Sequence, residues 1–137
     1  MKYILMMSVP KGTGNYEIDS WPKTDFQAHM EYWKNLNKEL SESGELVAVE
    51  GLTGPSQAKV VRAGKDNVPI TDCVFPESKE FLAGYWIVDV DSPEEAYRIA
   101  ARASAAPHPP RHGPGGTPEN QFIEVRQVMS GPPEELL

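Results

Sequence analysis

The stretch from Gly84 to Val90 reads GYWIVDV, and it restricts the possible folds more than any other segment of the chain. Aromatic and β-branched side chains alternate along it, so an extended backbone carries large groups on both faces. Such a strand belongs in the middle of a sheet. Trp86, Val88 and Val90 fall on one face, while Tyr85, Ile87 and Asp89 fall on the other.

The remaining elements order themselves around this strand. Lys2 to Ser8, KYILMMS, is a short apolar run ended by Pro10 and Gly12 and suits a strand better than a helix. Val9 to Pro22 mixes turn residues without a period, as a loop bordering a site does. Phe26, Met30, Trp33, Leu36 and Leu40 then form an apolar stripe at helical spacing, with Lys34, Lys38 and Glu42 on the wet side. Thr24 with Gln27 matches a capping box, and Gly44 supplies a left-handed end.

Leu46 to Glu50, Ala58 to Ala63 and Val68 to Thr71 read as antiparallel strands, the last two joined through a turn at Gly64-Lys65-Asp66-Asn67. Ser92-Pro93-Glu94-Glu95 opens a second helix with Ala96, Ile99, Ala100 and Ala103 inward. Ala105 to Asn120 is a Pro-, Gly- and His-rich loop, and Gln121 to Met129 alternates as a closing strand before a flexible tail over 130–137. This order predicts one α+β domain over 1–137, a ferredoxin-like βαββαβ fold with a small hairpin extension.

Two helices in that arrangement cover one sheet face and leave the other bare. The apolar set Trp86, Val88, Val90, Ile123 and Val125 suits the covered face. The opposite set combines Tyr85, Ile87, Phe122 and Val128 with Asp89, Glu124 and Arg126, which is too hydrophobic for a free surface and too polar for a closed core. A homodimer that packs two such sheets face to face buries the apolar members and leaves a polar-lined cavity at Asp89, Glu124 and Arg126.

A formal net charge of -7 with scattered lysines and arginines argues against nucleic acid and anionic membrane as partners. No apolar run approaches the roughly 20 residues needed to cross a bilayer, and the N-terminal segment lacks the pattern of a signal peptide. With a single cysteine, Cys73, an internal disulfide is ruled out, and a cytoplasmic location is expected.

Few residues offer chemistry. Asp72 stands at the end of the hairpin extension, where a carboxylate either caps neighbouring amides or serves as a general base at a cavity mouth. His29 lies beside the apolar stripe near Tyr32 and Trp33, either as a boundary histidine or as the partner of a carboxylate in proton transfer. Tyr85, Asp89, Glu124, Arg126 and Lys79 are candidates for lining a ligand cavity, Arg126 as the anchor for an anionic group. His108 and His112 sit in a Pro/Gly loop without a third ligand, so no metal site is expected. Gly113, Gly115 and Gly116 follow a helix where a phosphate cradle precedes one, and no cofactor is expected. Cys73 has no histidine base placed beside it.

The chain resembles the YCII-related family, in particular its DGPF-domain branch. The resemblance rests on KYILMM at the start, LVAVEGL from Leu46 to Leu52, and the run from Thr71 and Asp72 through Phe75, Glu77, Lys79 and Glu80 into Gly84 to Val90. Glu94, Ala96 and the closing Ile123-Glu124-Val125-Arg126 complete it. The branch's Asp-Gly-Pro-Phe signature stands here as Asp72-Cys73-Val74-Phe75, without its middle pair. The resemblance implies a dimeric α+β barrel, a site between sheet and helices, and a His–Asp pair in related proteins with enzymatic roles, with Asp72 matching the signature aspartate.

Three functions follow from these readings. The first is binding of a small organic ligand in the cavity of a homodimeric barrel. The second is a cofactor-free lyase, isomerase or hydrolase that uses Asp72 with His29 or Tyr85 for proton transfer. The third is a protein-interaction or regulatory module.

Overall fold

A computed structural model of the chain describes residues 1–10, 21–73, 80–110 and 120–131. Its elements run β1 (Lys2–Pro10), α1 (Lys23–Glu42), β2 (Leu46–Gly51), β3 (Lys59–Ala63), β4 (Pro69–Cys73), β5 (Glu80–Asp89), α2 (Pro93–Ser104) and β6 (Ile123–Gln127). One sheet has the order β2-β5-β1-β6, with every pairing antiparallel. That order, with a helix after its first and third strands, is the ferredoxin-like α+β fold. β5 lies inside the sheet between β2 and β1, as its two-sided apolar pattern requires.

The extension is the expected hairpin. β3 pairs only with β4, in a separate two-stranded hairpin inserted between β2 and β5. All ten of its strand residues are exposed. Its turn falls where Gly64 to Asn67 places it, with Asp66 and Asn67 at φ of 56° and 61°, a conformation that short polar side chains tolerate better than most.

The core lies between the sheet and the two helices. Tyr3 and Leu5 of β1, Trp86 and Val88 of β5, and Val90 beyond it meet Leu36 and Leu40 of α1 and Ala96, Ile99, Ala100 and Ala103 of α2. Leu5, Leu40 and Val88 are sealed from water, and each such burial contributes about 1.5–3 kcal/mol. The alanines of α2 let that helix approach closely.

The two helix starts differ. Ser92 accepts a bond from the Glu95 amide at 3.3 Å, Glu95 accepts one from the Asp91 amide at 3.1 Å, and Pro93 opens α2. The expected Thr24–Gln27 box is not formed. α1 begins at Lys23, which places Thr24 inside the first turn, and the residue before the helix, Pro22, offers no side-chain cap. The inward stripe is also turned: Phe26 and Met30 are exposed, and His29, 7% exposed, takes their place ahead of Leu36 and Leu40. Gly44, at φ 79°, ends the helix as expected.

The strand expected over 121–129 is formed from Ile123 to Gln127, and one further bond, Val128 N–H to the Lys2 carbonyl at 2.9 Å, prolongs its contact with β1. Among the described residues no helix is long and apolar enough to cross a membrane. Lys79, His112, Gly113, Gly115, Gly116, most of the 9–22 loop and most of the 130–137 tail lie outside the described residues.

Candidate functional site

The helix layer does not close over the whole sheet. Beneath the C-terminal half of α1, Leu36 and Leu40 pack on Leu46 and Val88. Towards its N-terminal half the middle of the sheet is low: Gly51 and Gly84 are direct cross-strand partners on the helix-facing side, and Ala83 is an extra residue in the β1–β5 register between Met7 and Ser8. A Cβ built on Gly84 meets the Glu50 carbonyl oxygen at 2.9 Å, so glycine is required there by the approach of β2. A Cβ built on Gly51 meets nothing within 4 Å. The result is a cavity of about 770 Å³.

Four tryptophan and tyrosine rings and two imidazoles stand in its walls. Trp21, Trp33 and Trp86, which are all the tryptophans of the chain, line it with His29. These three indoles and the His29 ring form a continuous series. His29 stands 5.0 Å from Trp21 and 4.1 Å from Trp33, and Trp33 meets Trp86 edge-on at 5.4 Å. Met7 and Val9 of β1, Met30 of α1 and Val49 of β2 add apolar surface, and Lys34, Asn37, Ser104, His108 and Gln121 bring polar groups.

The series is held by the end of α2. A helix leaves its last carbonyls without partners inside the helix, and α1 supplies partners from two consecutive side chains. Tyr32 Oη donates to the Arg102 carbonyl at 2.7 Å, and Trp33 Nε1 donates to that of Ala103 at 3.1 Å. His29 Nδ1 lies 2.7 Å from the Pro107 carbonyl. A carbonyl only accepts, so Nδ1 carries the proton, and in the neutral ring Nε2 is the basic nitrogen. An Arg102–Glu39 ion pair joins the same two helices outside the cavity. Trp86 Nε1 donates to Asn37 Oδ1 at 2.8 Å, and Gln121 Nε2 donates to the Ser8 carbonyl at 2.7 Å, closing the floor between α1, β5 and β1.

The residues singled out from sequence do not assemble in one place. His29 and Tyr85 both line this cavity. Asp72 is on the exposed hairpin, where its Oδ1 accepts the Cys73 amide at 2.8 Å, and it lines a shallow depression with Val60, Val61, Arg62, Ile70 and Thr71. This contact is local, to the next residue, within β4. The fold therefore gives His29 and Asp72 different surroundings within the chain. Cys73 is exposed, with Lys59 Nζ 3.5 Å from its sulfur.

Asp89, at the end of β5, pairs with the α-amino group of Met1 at 3.0 Å. Tyr85 stands opposite Met6 and Glu50 and is also among the residues that line the cavity; Glu124 stands opposite Met6 and Arg126 opposite Ile4, on the face turned away from both helices. Among the described residues no group of three or more His, Cys, Asp or Glu is placed to hold a metal ion. His108 is held locally, its Nδ1 2.6 Å from the Pro109 carbonyl and its Nε2 3.2 Å from Asn120 Oδ1.

A ferredoxin-like α+β domain with an aromatic cavity under one end of its first helix is the class that fold and site define. The comparison with protein families makes this specific: residues 1–108 match the YCII-related domain, and the chain belongs to the YCII-related family. The matched span runs from β1 through α2 and holds His29 and all three tryptophans. The chain is also similar to the Rhizobium meliloti (strain 1021) protein described as "Uncharacterized protein R00369", at 26% identity over 117 residues, 85% of this chain and 86% of that protein.

Proposed function

We propose that this YCII-related protein binds a small organic molecule in the cavity between α1 and the sheet, and that it does so as a homodimer paired through the helix-free sheet face. One observation carries the first part: a cavity of about 770 Å³ lined by every tryptophan of the chain. Small-molecule sites typically enclose about 300–1,000 Å³ and join mainly apolar, aromatic walls to a few polar groups. A Cβ built on Gly51 meets nothing within 4 Å, so a larger side chain there would enter open space.

The pairing is supported by the composition of the bare face. Ile4 and Ile87, and Met6 and Tyr85, are direct cross-strand neighbours there, and Phe122, just before β6, is 78% exposed. A continuous apolar strip flanked by Glu50, Glu124 and Arg126 matches the centre and rim of a two-fold interface. Sedimentation equilibrium at micromolar concentration tests it. A species of twice 15.2 kDa is expected, and a clean 15.2 kDa species removes the pairing.

A thermal-shift screen with small acids, lactones and aromatics tests the binding, because a ligand that occupies only the folded state raises its melting temperature. Hits that vanish when Gly51 is replaced by Leu are expected. A broad panel without one favours an interaction module instead. Catalysis has His29 in its favour, with its tautomer set by Pro107 inside the cavity. A hit consumed over time would bring that reading forward, and turnover that survives in His29→Ala would exclude His29 from it.

A further inference from the structure

We infer that the ligand is a flat, π-bearing organic anion, its ring among the tryptophans and its charged end at Lys34 and Asn37. This deepens the binding reading and rests on it. The first observation concerns the rings. Both indole N–H groups whose partners are known are committed to protein, Trp33 to Ala103 and Trp86 to Asn37. What they offer a ligand is therefore ring surface and not hydrogen bonds, which favours a planar conjugated body over a saturated polar one.

The second observation concerns the polar end. Lys34 and Asn37 are three residues apart on α1 and therefore neighbours on one side of it, and both line the cavity. The Trp86 N–H occupies Asn37 Oδ1. This fixes which way the amide is turned and leaves its NH₂ group as the part offered elsewhere. An ammonium and an amide NH₂ side by side are donors only, so together they suit a carboxylate and reject a cation.

The third is the balance of charge. The chain carries 20 acidic residues against 13 basic ones. Among the described residues that line the cavity, Lys34 and Glu50 are the charged pair besides the histidines. Glu50 pairs with Tyr85, one residue out of phase with Val49 and Trp86, so its side chain leaves the strand on the face opposite to theirs. The lining thus holds one lysine on α1 and one glutamate whose side chain starts from the far face of the sheet, so Lys34 is the charge on the helix side of the cavity.

Calorimetric titration of the full chain with a matched series separates this inference from the reading beneath it. The probes are 2-naphthoate, 2-naphthamide, 2-naphthylmethylammonium and cyclohexanecarboxylate. The naphthoate is expected to bind about tenfold more tightly than the amide, the ammonium compound to bind least, and the saturated acid to fall below the naphthoate. In Lys34→Gln the preference for naphthoate over amide should shrink to about threefold or less. Gly51→Leu, which keeps Lys34 and Asn37, should abolish binding of every probe. Equal affinity for naphthoate and naphthamide, or a preference that survives Lys34→Gln, overturns the anion inference and leaves the cavity as a ligand site. Absence of binding by all four probes, or binding unaffected by Gly51→Leu, overturns the cavity reading itself.

Discussion

The two ends of α1 rest on the same sheet in different ways. At the C-terminal end Leu36 and Leu40 meet Leu46, Val88 and Val90, and the space is filled to the exclusion of water. At the N-terminal end the helix presents His29 and Trp33 to a floor in which Gly51, Gly84 and Ala83 lie low among Met7, Val49 and Trp86, and a cavity remains. The helix is continuous from Lys23 to Glu42, so the difference arises from side-chain volume on the strands and not from the path of the helix. The filled end supplies stability. The hollow end is held open by polar bonds to the carbonyls at the end of α2.

That contrast is most severely tested by deletions at the two ends. Leu40→Ala should lower the unfolding free energy by about 3 kcal/mol in chemical denaturation, the usual cost of a sealed leucine. Next comes His29→Ala, which removes a buried ring and leaves the Pro107 carbonyl without its donor, at about 1–2 kcal/mol. Equal losses in the two variants would mean that the ends are packed alike.

The glycines sharpen the same point. Gly84→Ala forces a Cβ against the Glu50 carbonyl and should cost about 1–3 kcal/mol, as overpacking does. Gly51→Val meets open space and reduces the freedom of the unfolded chain, so it should leave stability unchanged or raise it by about 0.5 kcal/mol. Thermal and denaturant unfolding of the pair measures the difference, and a loss at Gly51 as large as that at Gly84 would show the cavity to be occupied by protein. The smallest effects belong to the helix starts. Ser92→Ala should cost about 1 kcal/mol through loss of a cap, and Thr24→Ala, with no cap to lose, should cost almost nothing.

Much of the fold was legible because its signals are local. The two-sided GYWIVDV run identified an interior strand, the Ser92 box and Gly44 marked helix ends, and the alternation near 123–127 gave the closing strand. The start of α1 was misread because a box pattern says nothing about where the first turn begins, and a helix begun at Lys23 has already passed Thr24. The apolar stripe pointed to Phe26 and Met30, but the buried side of the helix is turned towards His29, since the end of α2 offers carbonyls that a histidine can satisfy and a phenylalanine cannot.

The cavity was less legible. His29 was singled out beside the apolar stripe, but Trp21, Trp86, Gly51 and Gly84 become neighbours only through strand register. The coincidence of Gly51 with Gly84, each next to an apolar strand run, was the available signal, and reading it required knowing that β2 pairs with β5. Asp72 drew attention as a carboxylate at a turn. In the fold it lies within β4, opposite Val60, and accepts the amide that follows it.

The most direct measurement uses the three tryptophans as reporters, since all of them face the cavity. Titrating the protein with a small aromatic acid while following intrinsic fluorescence should give a saturable change in the natural sequence and none beyond collisional quenching in Gly51→Leu. Linear, identical quenching in the two proteins would contradict a ligand site at the open end of the helix layer.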